Sequence, residues 1–155
     1  MNHLATSKED ILAASRDLIK ENGWAAVSIR AVASRCSVSA GTIYNYYESK
    51  ADLLSDTIES IWHEIFFHPE DEQIFHDVES CISWIYERLE YGNRQFPGFF
   101  SLHSFGFMRD EKTSGKKRMM KTWGHILNGL CEVLENDPKV RADVFDQEFT
   151  EKKFA

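Results

Sequence analysis

The sequence predicts an all-α protein. Three observations carry that reading. Apolar residues recur at helical spacing in each long segment, serine caps mark three helix starts between residues 28 and 49, and no stretch alternates in the manner of a strand. There is no internal repeat and no low-complexity tract. A chain of 155 residues, 43% of them apolar, suffices for one domain or for two small ones sharing a core.

Residues 1–7 read as a short arm. Ser7 caps a helix from Lys8 to about Asn22, with Ile11, Ala14 and Leu18 on one stripe and Leu12 and Ile19 widening it. Ser15 interrupts that stripe with a small polar group. Gly23 supplies a left-handed stop, and Trp24 is expected to pack beneath the pair of short helices after it. Ser28 caps the first of these, Ile29 to about Arg35; Cys36, Ser37 and Val38 form a turn; Ser39 caps the second, Ala40 to about Tyr46. Ser49 caps a third helix, with Asp52 three residues on in a variant of the capping box. Val32, Ala33, Val38 and Ile43 complete a small core. This is helix-turn-helix spacing, in which the second helix enters the DNA major groove. Gly41 is costly for helix propensity. It serves either close helix packing or close approach of the backbone to DNA, and the sequence leaves both open.

The third helix should run from Lys50 to about Phe67, with Leu53, Leu54, Ile58, Ile61, Trp62 and Ile65 at helical spacing. Pro69 ends it. The run Glu70-Asp71-Glu72 is expected to open the next helix, where acids suit the dipole, and that helix reaches about Asn93. Ile74, Val78, Ile82, Ile85 and Leu89 form one stripe of it, and Cys81, Trp84 and Arg88 a neighbouring one. Residues 94–115 are irregular: Pro97-Gly98, a short aromatic helix from Phe99 to Met108, then a polar loop. Lys116-Lys117-Arg118 open a helix that stops near Asn136-Asp137-Pro138. A last segment from Val140 ends in aromatic residues that look unburied.

Charge and composition narrow the function classes. The net charge of -7 falls on the second part of the chain, because residues 1–55 hold three Lys and three Arg against six acids. Within 28–50, Arg30, Arg35 and Lys50 face one acid, Glu48, so DNA affinity should lean on hydroxyls and helix N-termini as much as on cations. No run of 18 apolar residues and no apolar leader is present, so no membrane span is expected. Cys36, Cys81 and Cys131 are odd in number and widely spaced, which suits a reduced, cytoplasmic setting rather than a disulfide framework. His63-Glu64…His68 approaches a metalloprotease helix, but a five-residue spacing turns the second histidine off the shared face. A glycine-rich phosphate loop and a serine nucleophile elbow are both missing. No enzyme, cofactor or metal site is expected.

Gly23, Ser28-Ile29-Arg30, Val32-Ala33, Val38-Ser39, Gly41-Thr42-Ile43-Tyr44, Tyr46-Tyr47, Ser49-Lys50 and Leu53-Leu54 together resemble the N-terminal domain of TetR-family transcriptional regulators, over roughly residues 8 to 56. Cys36 at the turn, Tyr47 in place of a commoner Phe, and Ala31 in place of an early acid depart from the pattern. The resemblance implies a three-helix helix-turn-helix DNA-binding domain, residues 1–48. A helical-bundle domain for ligand binding and dimerisation would come after it, residues 49–155. Chains of this kind usually continue through one more long helix, so the C-terminal portion is expected to be missing; a naturally short tail is the alternative.

The resemblance also assigns roles. Thr42, Tyr44 and Asn45 would reach base edges or phosphates, with Tyr44 alternatively part of the core. Ser39, Ala40 and Gly41 would meet phosphate at the helix start, and Ser28, Arg30 and Lys50 would grip the backbone. Tyr46 is assigned to phosphate, Tyr47 to the core, and Arg35 to a solvated surface. A pocket for a small apolar or aromatic effector would draw on Phe66, Trp84, Phe99, Phe100, His103, Phe107, Trp123 and Leu127, although aromatic residues at helical spacing are usually core. The expected protein is a homodimeric regulator, most simply a repressor, on a palindromic double-stranded DNA operator. The rival reading is an all-helical protein-interaction module without specific DNA binding.

Overall fold

Residues 6–67, 77–100, 114–141 and 143–154 are described by the structure, a computed structural model, the side chains of 114–123 excepted. Among the described residues the chain is helical throughout: α1 (Lys8–Asn22), a 3-10 turn (Trp24–Ala26), α2 (Ile29–Arg35), α3 (Ala40–Tyr44), α4 (Lys50–Phe66), α5 (Val78–Gln95), α6 (Ser114–Asn136) and α7 (Glu151–Phe154). No described helix is long and apolar enough to cross a membrane.

Local chemistry sets the first four helices. The Ser7 hydroxyl accepts from the Asp10 amide at 3.1 Å, and the Asp10 carboxylate accepts from the Ser7 amide at 2.8 Å, so the box is reciprocal. Ser28, Ser39 and Ser49 cap α2, α3 and α4 in turn. The polar interruption at Ser15 is satisfied inside the helix, its hydroxyl donating to the Ile11 carbonyl at 2.8 Å. Gly23 ends α1 at φ 78°, as a positive-φ stop requires, but with ψ 176°. That combination lies outside the left-handed helical region and is comfortable only for glycine.

The turn between α2 and α3 closes without glycine. Ser37 stands at φ 56°, its amide bonds to the Ser34 carbonyl at 3.1 Å, and the Val38 amide reaches back to the Ala33 carbonyl at 2.9 Å. This is the Schellman pattern, with the half-buried Val38 packing onto the core below it. It fixes where α3 begins.

Several element boundaries differ from the expected ones: α5 runs on to Gln95 and α6 begins at Ser114, two residues before Lys116. α3 stops at Tyr44, with Asn45 as its C-cap, two residues short of Tyr46. α5 begins at Val78 behind an Asp77 cap, so the acidic run at 70–72 is not its first turn; that run and Ile74 lie outside the described residues. A second carboxylate explains the boundary. Asp137, just past α6 and only 5% exposed, accepts from the Val78 amide at 2.8 Å and from the Lys139 amide at 2.8 Å. Replacing Asp137 by alanine strands the Val78 amide at a partly buried site. It should cost about 2–3 kcal/mol, read as a lower urea midpoint, with Asp137→Asn losing less. Asp77 itself is held at a pKa of about 2 by the Ser80 hydroxyl and amide, and then by Lys139. The depressed value means its contribution is complete above the ordinary aspartate range, about pH 4, and fades as pH falls through about 2.

α4, α5 and α6 pack on one another as the body, and α1 lies against α4. α5 approaches α4 closely at Gly92: a Cβ there would stand 2.6 Å from Ile65 Cδ1 and 2.9 Å from Phe100 Cζ. The buried cluster runs unbroken from Ile11 through Ile43, Tyr47 and Ile61 to Phe99. Trp24 does not sit wholly beneath the short helices, as expected, but stacks on Phe99 at 5.8 Å. Phe99 meets Trp62 at 5.1 Å, and Trp62 meets Phe66 at 5.4 Å. Past α6, Phe145, Phe149 and Phe154 gather at 5.8 to 6.3 Å from one another, with Phe149 and Phe154 exposed.

Candidate nucleic-acid interface

α3 is held from three sides. Its start is fixed by Ser39, whose hydroxyl accepts from the Thr42 amide at 3.2 Å and lies 3.0 Å from the Thr42 hydroxyl. Its inward face is Ile43, which is fully buried. Its end is fixed by Tyr47, 3% exposed and part of the core, as its apolar counterpart elsewhere would suggest. A five-residue helix pinned in this way has one face left for solvent. Tyr44 stands there 56% exposed, with Asn45 exposed beside it and Thr42 half-buried. The core alternative for Tyr44 is thereby removed.

Arg30, at the start of α2, and Lys50, at the start of α4, are exposed and have no acidic partner among the described residues. Arg35 differs. Both its terminal nitrogens grip the Glu21 carboxylate on α1, one at 2.6 Å. That fork lowers the Glu21 pKa and raises that of Arg35. Arg35 is thus a surface charge, as expected, but one paired with Glu21, and the cations left around α3 are Arg30 and Lys50 against Glu48.

Two further positions depart from expectation. Tyr46, assigned to phosphate, donates its hydroxyl to the Thr6 carbonyl at 2.7 Å. Its donor is engaged inside the fold, where it ties the start of the chain to the end of α3. Gly41 is exposed, and a Cβ there would meet only the Ser39 hydroxyl, at an ordinary 3.6 Å. Close helix packing thus does not explain this glycine. Gly41→Ala should raise thermal stability by up to about 1 kcal/mol and yet weaken DNA binding. Equal binding by the two proteins in a band-shift titration would remove Gly41 from the interface. The Cys36 thiol at the turn is pushed up in pKa by burial, which keeps it protonated and poorly nucleophilic.

The residues considered for an effector pocket divide. Phe66 and Phe99 are buried, and Trp84 lies 6.0 Å from Phe66 and Phe100 5.1 Å from Phe99. Phe66 and Phe99 thus belong to the buried core, while Trp84 and Phe100 are half-buried against it. On α6, Ile126 packs against that core while Leu127 is only half-buried. His103, Phe107 and the Trp123 side chain lie outside the described residues. His63, from the near-metalloprotease pattern, stacks on Phe67 at 5.2 Å, and no group of three or more metal-ligating side chains occurs among the described residues.

Comparison with known proteins agrees with this geometry. The family described as "Bacterial regulatory proteins, tetR family" matches residues 11–57, the segment that spans α1 to the first half of α4. The HTH-type transcriptional regulator UidR of Escherichia coli (strain K12) is 38% identical over 48 residues, 31% of this chain and 24% of that protein. The HTH-type transcriptional repressor KstR of Rhodococcus jostii (strain RHA1) is 45% identical over 47 residues, 30% of this chain and 22% of that protein. This chain therefore matches about a quarter of the length of these relatives. No solved structure matches. With its Schellman-closed turn, its serine-capped α3 and a family match over the same residues, the segment 11–57 is a helix-turn-helix domain of the kind found in the TetR family of bacterial regulatory proteins.

Proposed function

We propose that this protein is a cytoplasmic DNA-binding transcriptional regulator, a ligand-responsive repressor that occupies a palindromic operator as a homodimer. Residues 1–48 would read DNA, and residues 49–155 would respond and dimerise. One observation carries the reading: α3 offers Tyr44 and Asn45 to solvent from a frame that fixes its start, its end and its inner face, with Arg30 and Lys50 uncommitted on either side. Tyr44 and Asn45, with Thr42, meet base edges or phosphates. Ser28, Arg30, Ser39, Ala40, Gly41 and Lys50 hold the backbone. The names of the relatives, a transcriptional regulator and a transcriptional repressor, point the same way.

A two-fold dimer presents its two α3 helices to successive major grooves when they stand roughly 34–36 Å apart. The effector is a small apolar or aromatic molecule that binds the body more tightly in the state with the wrong separation, and release from DNA follows by linkage. The aromatic content of the body around Trp84 and Phe100 supports that ligand class.

The test is a selection of genomic fragments by the purified protein, with band shifts on the recovered site over a range of salt. A dimer using Arg30 and Lys50 on each subunit neutralises few phosphates, so log affinity should fall with log salt at a slope of about -3 to -4. Arg30→Ala and Lys50→Ala should each flatten that slope by about 2, since each subunit then neutralises one phosphate fewer. No salt-sensitive binding by the wild-type protein would end the reading.

A further inference from the structure

Most of what joins α1 to the body is apolar and sets no direction. Ile11, Ala14, Leu18 and Ile19 pack into the shared core, and apolar contact tolerates rocking. Two polar junctions add direction: Lys8 on α1 pairs with Asp56 on α4 at 2.6 Å, and a second one reaches α5 as well. Glu64 on α4 accepts from Arg16 Nε at 3.1 Å, from Lys20 Nζ at 2.6 Å, and from the Tyr91 hydroxyl on α5 at 3.2 Å. Arg16 and Lys20 are one turn apart on α1, so both reach the same carboxylate from one helix face. Lys20 also lies over the Phe96 ring at 4.8 Å, and Arg16 is steadied by Glu9 at 2.9 Å. The three side chains are largely withdrawn from water: Arg16 is 16% exposed, Glu64 22% and Lys20 29%. Charge-assisted bonds in that setting are short and directional. A single carboxylate thus joins the helix that carries the reading unit, the connecting helix, and the body.

We infer that Glu64 is a positioning residue which sets the angle of the reading unit on the body, and through that angle the half-site spacing the dimer accepts. The inference rests on the operator-binding dimer proposed above. Glu64 touches no DNA in this scheme; it acts through α1. Loosening it frees α1 to rock on its apolar seat, and the two α3 helices then sample a range of separations. Affinity for a correctly spaced site falls modestly. Discrimination against a wrongly spaced one falls more.

The experiment uses the selected operator and two versions with the half-sites moved one base pair apart or together. The wild-type protein should prefer its own spacing by about tenfold or more. Glu64→Gln should shrink that preference to within about threefold. Because Glu64→Gln leaves two cations facing each other, Lys20→Met and Tyr91→Phe are tested alongside, since each removes one arm of the junction without stranding a charge. Binding of an isolated half-site reports on the reading surface itself and should be unchanged in all three. An unchanged spacing profile in folded Lys20→Met and Tyr91→Phe proteins, with normal wild-type binding, overturns the assignment alone. Absence of operator binding by the wild-type protein overturns it together with the regulator reading.

Discussion

The Tyr44→Ala/Lys50→Ala double variant should lose at least two orders of magnitude in operator affinity while melting at the wild-type temperature. Both side chains are exposed, and neither has a partner among the described residues. Surface substitutions of that kind change stability by about 0.5 kcal/mol or less. Binding is another matter. Tyr44 is the most exposed large side chain of α3, at its C-terminal end, and Lys50 opens α4 nearby in the chain, so a dimer gives up four interactions with DNA at once. At about 1–3 kcal/mol for a base-edge interaction, and with a smaller salt-dependent sum for the phosphates, two decades is a low figure. Titration at two salt concentrations, paired with a thermal melt, separates the two contributions. A folded double variant that binds like the wild type would favour the interaction-module reading.

Trp62→Ala should be the most damaging single change to the fold, costing about 3–5 kcal/mol. Trp62 is 3% exposed, and its ring meets Phe66, Phe99 and Phe100 at 5.1 to 5.7 Å. Truncation leaves a void that three aromatic rings cannot collapse into without leaving their rotamers. For a chain of this size the melting temperature should drop by about 10 °C or more. Trp62→Phe keeps most of the ring packing and should cost much less. The shape of the transition matters as much as its midpoint. Since Phe99 stacks on Trp24 and packs at a tilt against Trp62, the N-terminal helices and the body should unfold together, in one transition by calorimetry. Two resolved transitions, with only the second moved by the substitution, would contradict the shared core.

Local signals make the N-terminal helices legible. Ser7, Ser28, Ser39 and Ser49 each act on an amide three residues away, which is information a short window contains. Sequence and structure part where a distant group decides. Spacing overstates the length of α3, and the Tyr46 hydroxyl just past its end is engaged by the Thr6 carbonyl, 40 residues away in sequence. It misplaces the start of α5 because half of that cap comes from Asp137, 59 residues on. Glu64 stands out in the sequence only through its neighbour His63, while its partners on α1 and α5 are set by packing and leave no trace in spacing. The aromatic residues of the body illustrate a different limit. Core and pocket both ask for large apolar side chains at helical intervals, so Phe66 and Phe99 carry the same signature in either role until their ring contacts are known.

The Trp24–Phe99 stack has a practical corollary. Swapping reading units between regulators is a natural way to redirect them, and residues 1–48 look like a detachable cassette. A chimaera cut there would carry Trp24 onto a foreign scaffold without the ring it rests on, and would leave Phe99 and Trp62 uncovered in the donor. Successful grafts should therefore be those that import an aromatic residue at the position equivalent to Phe99.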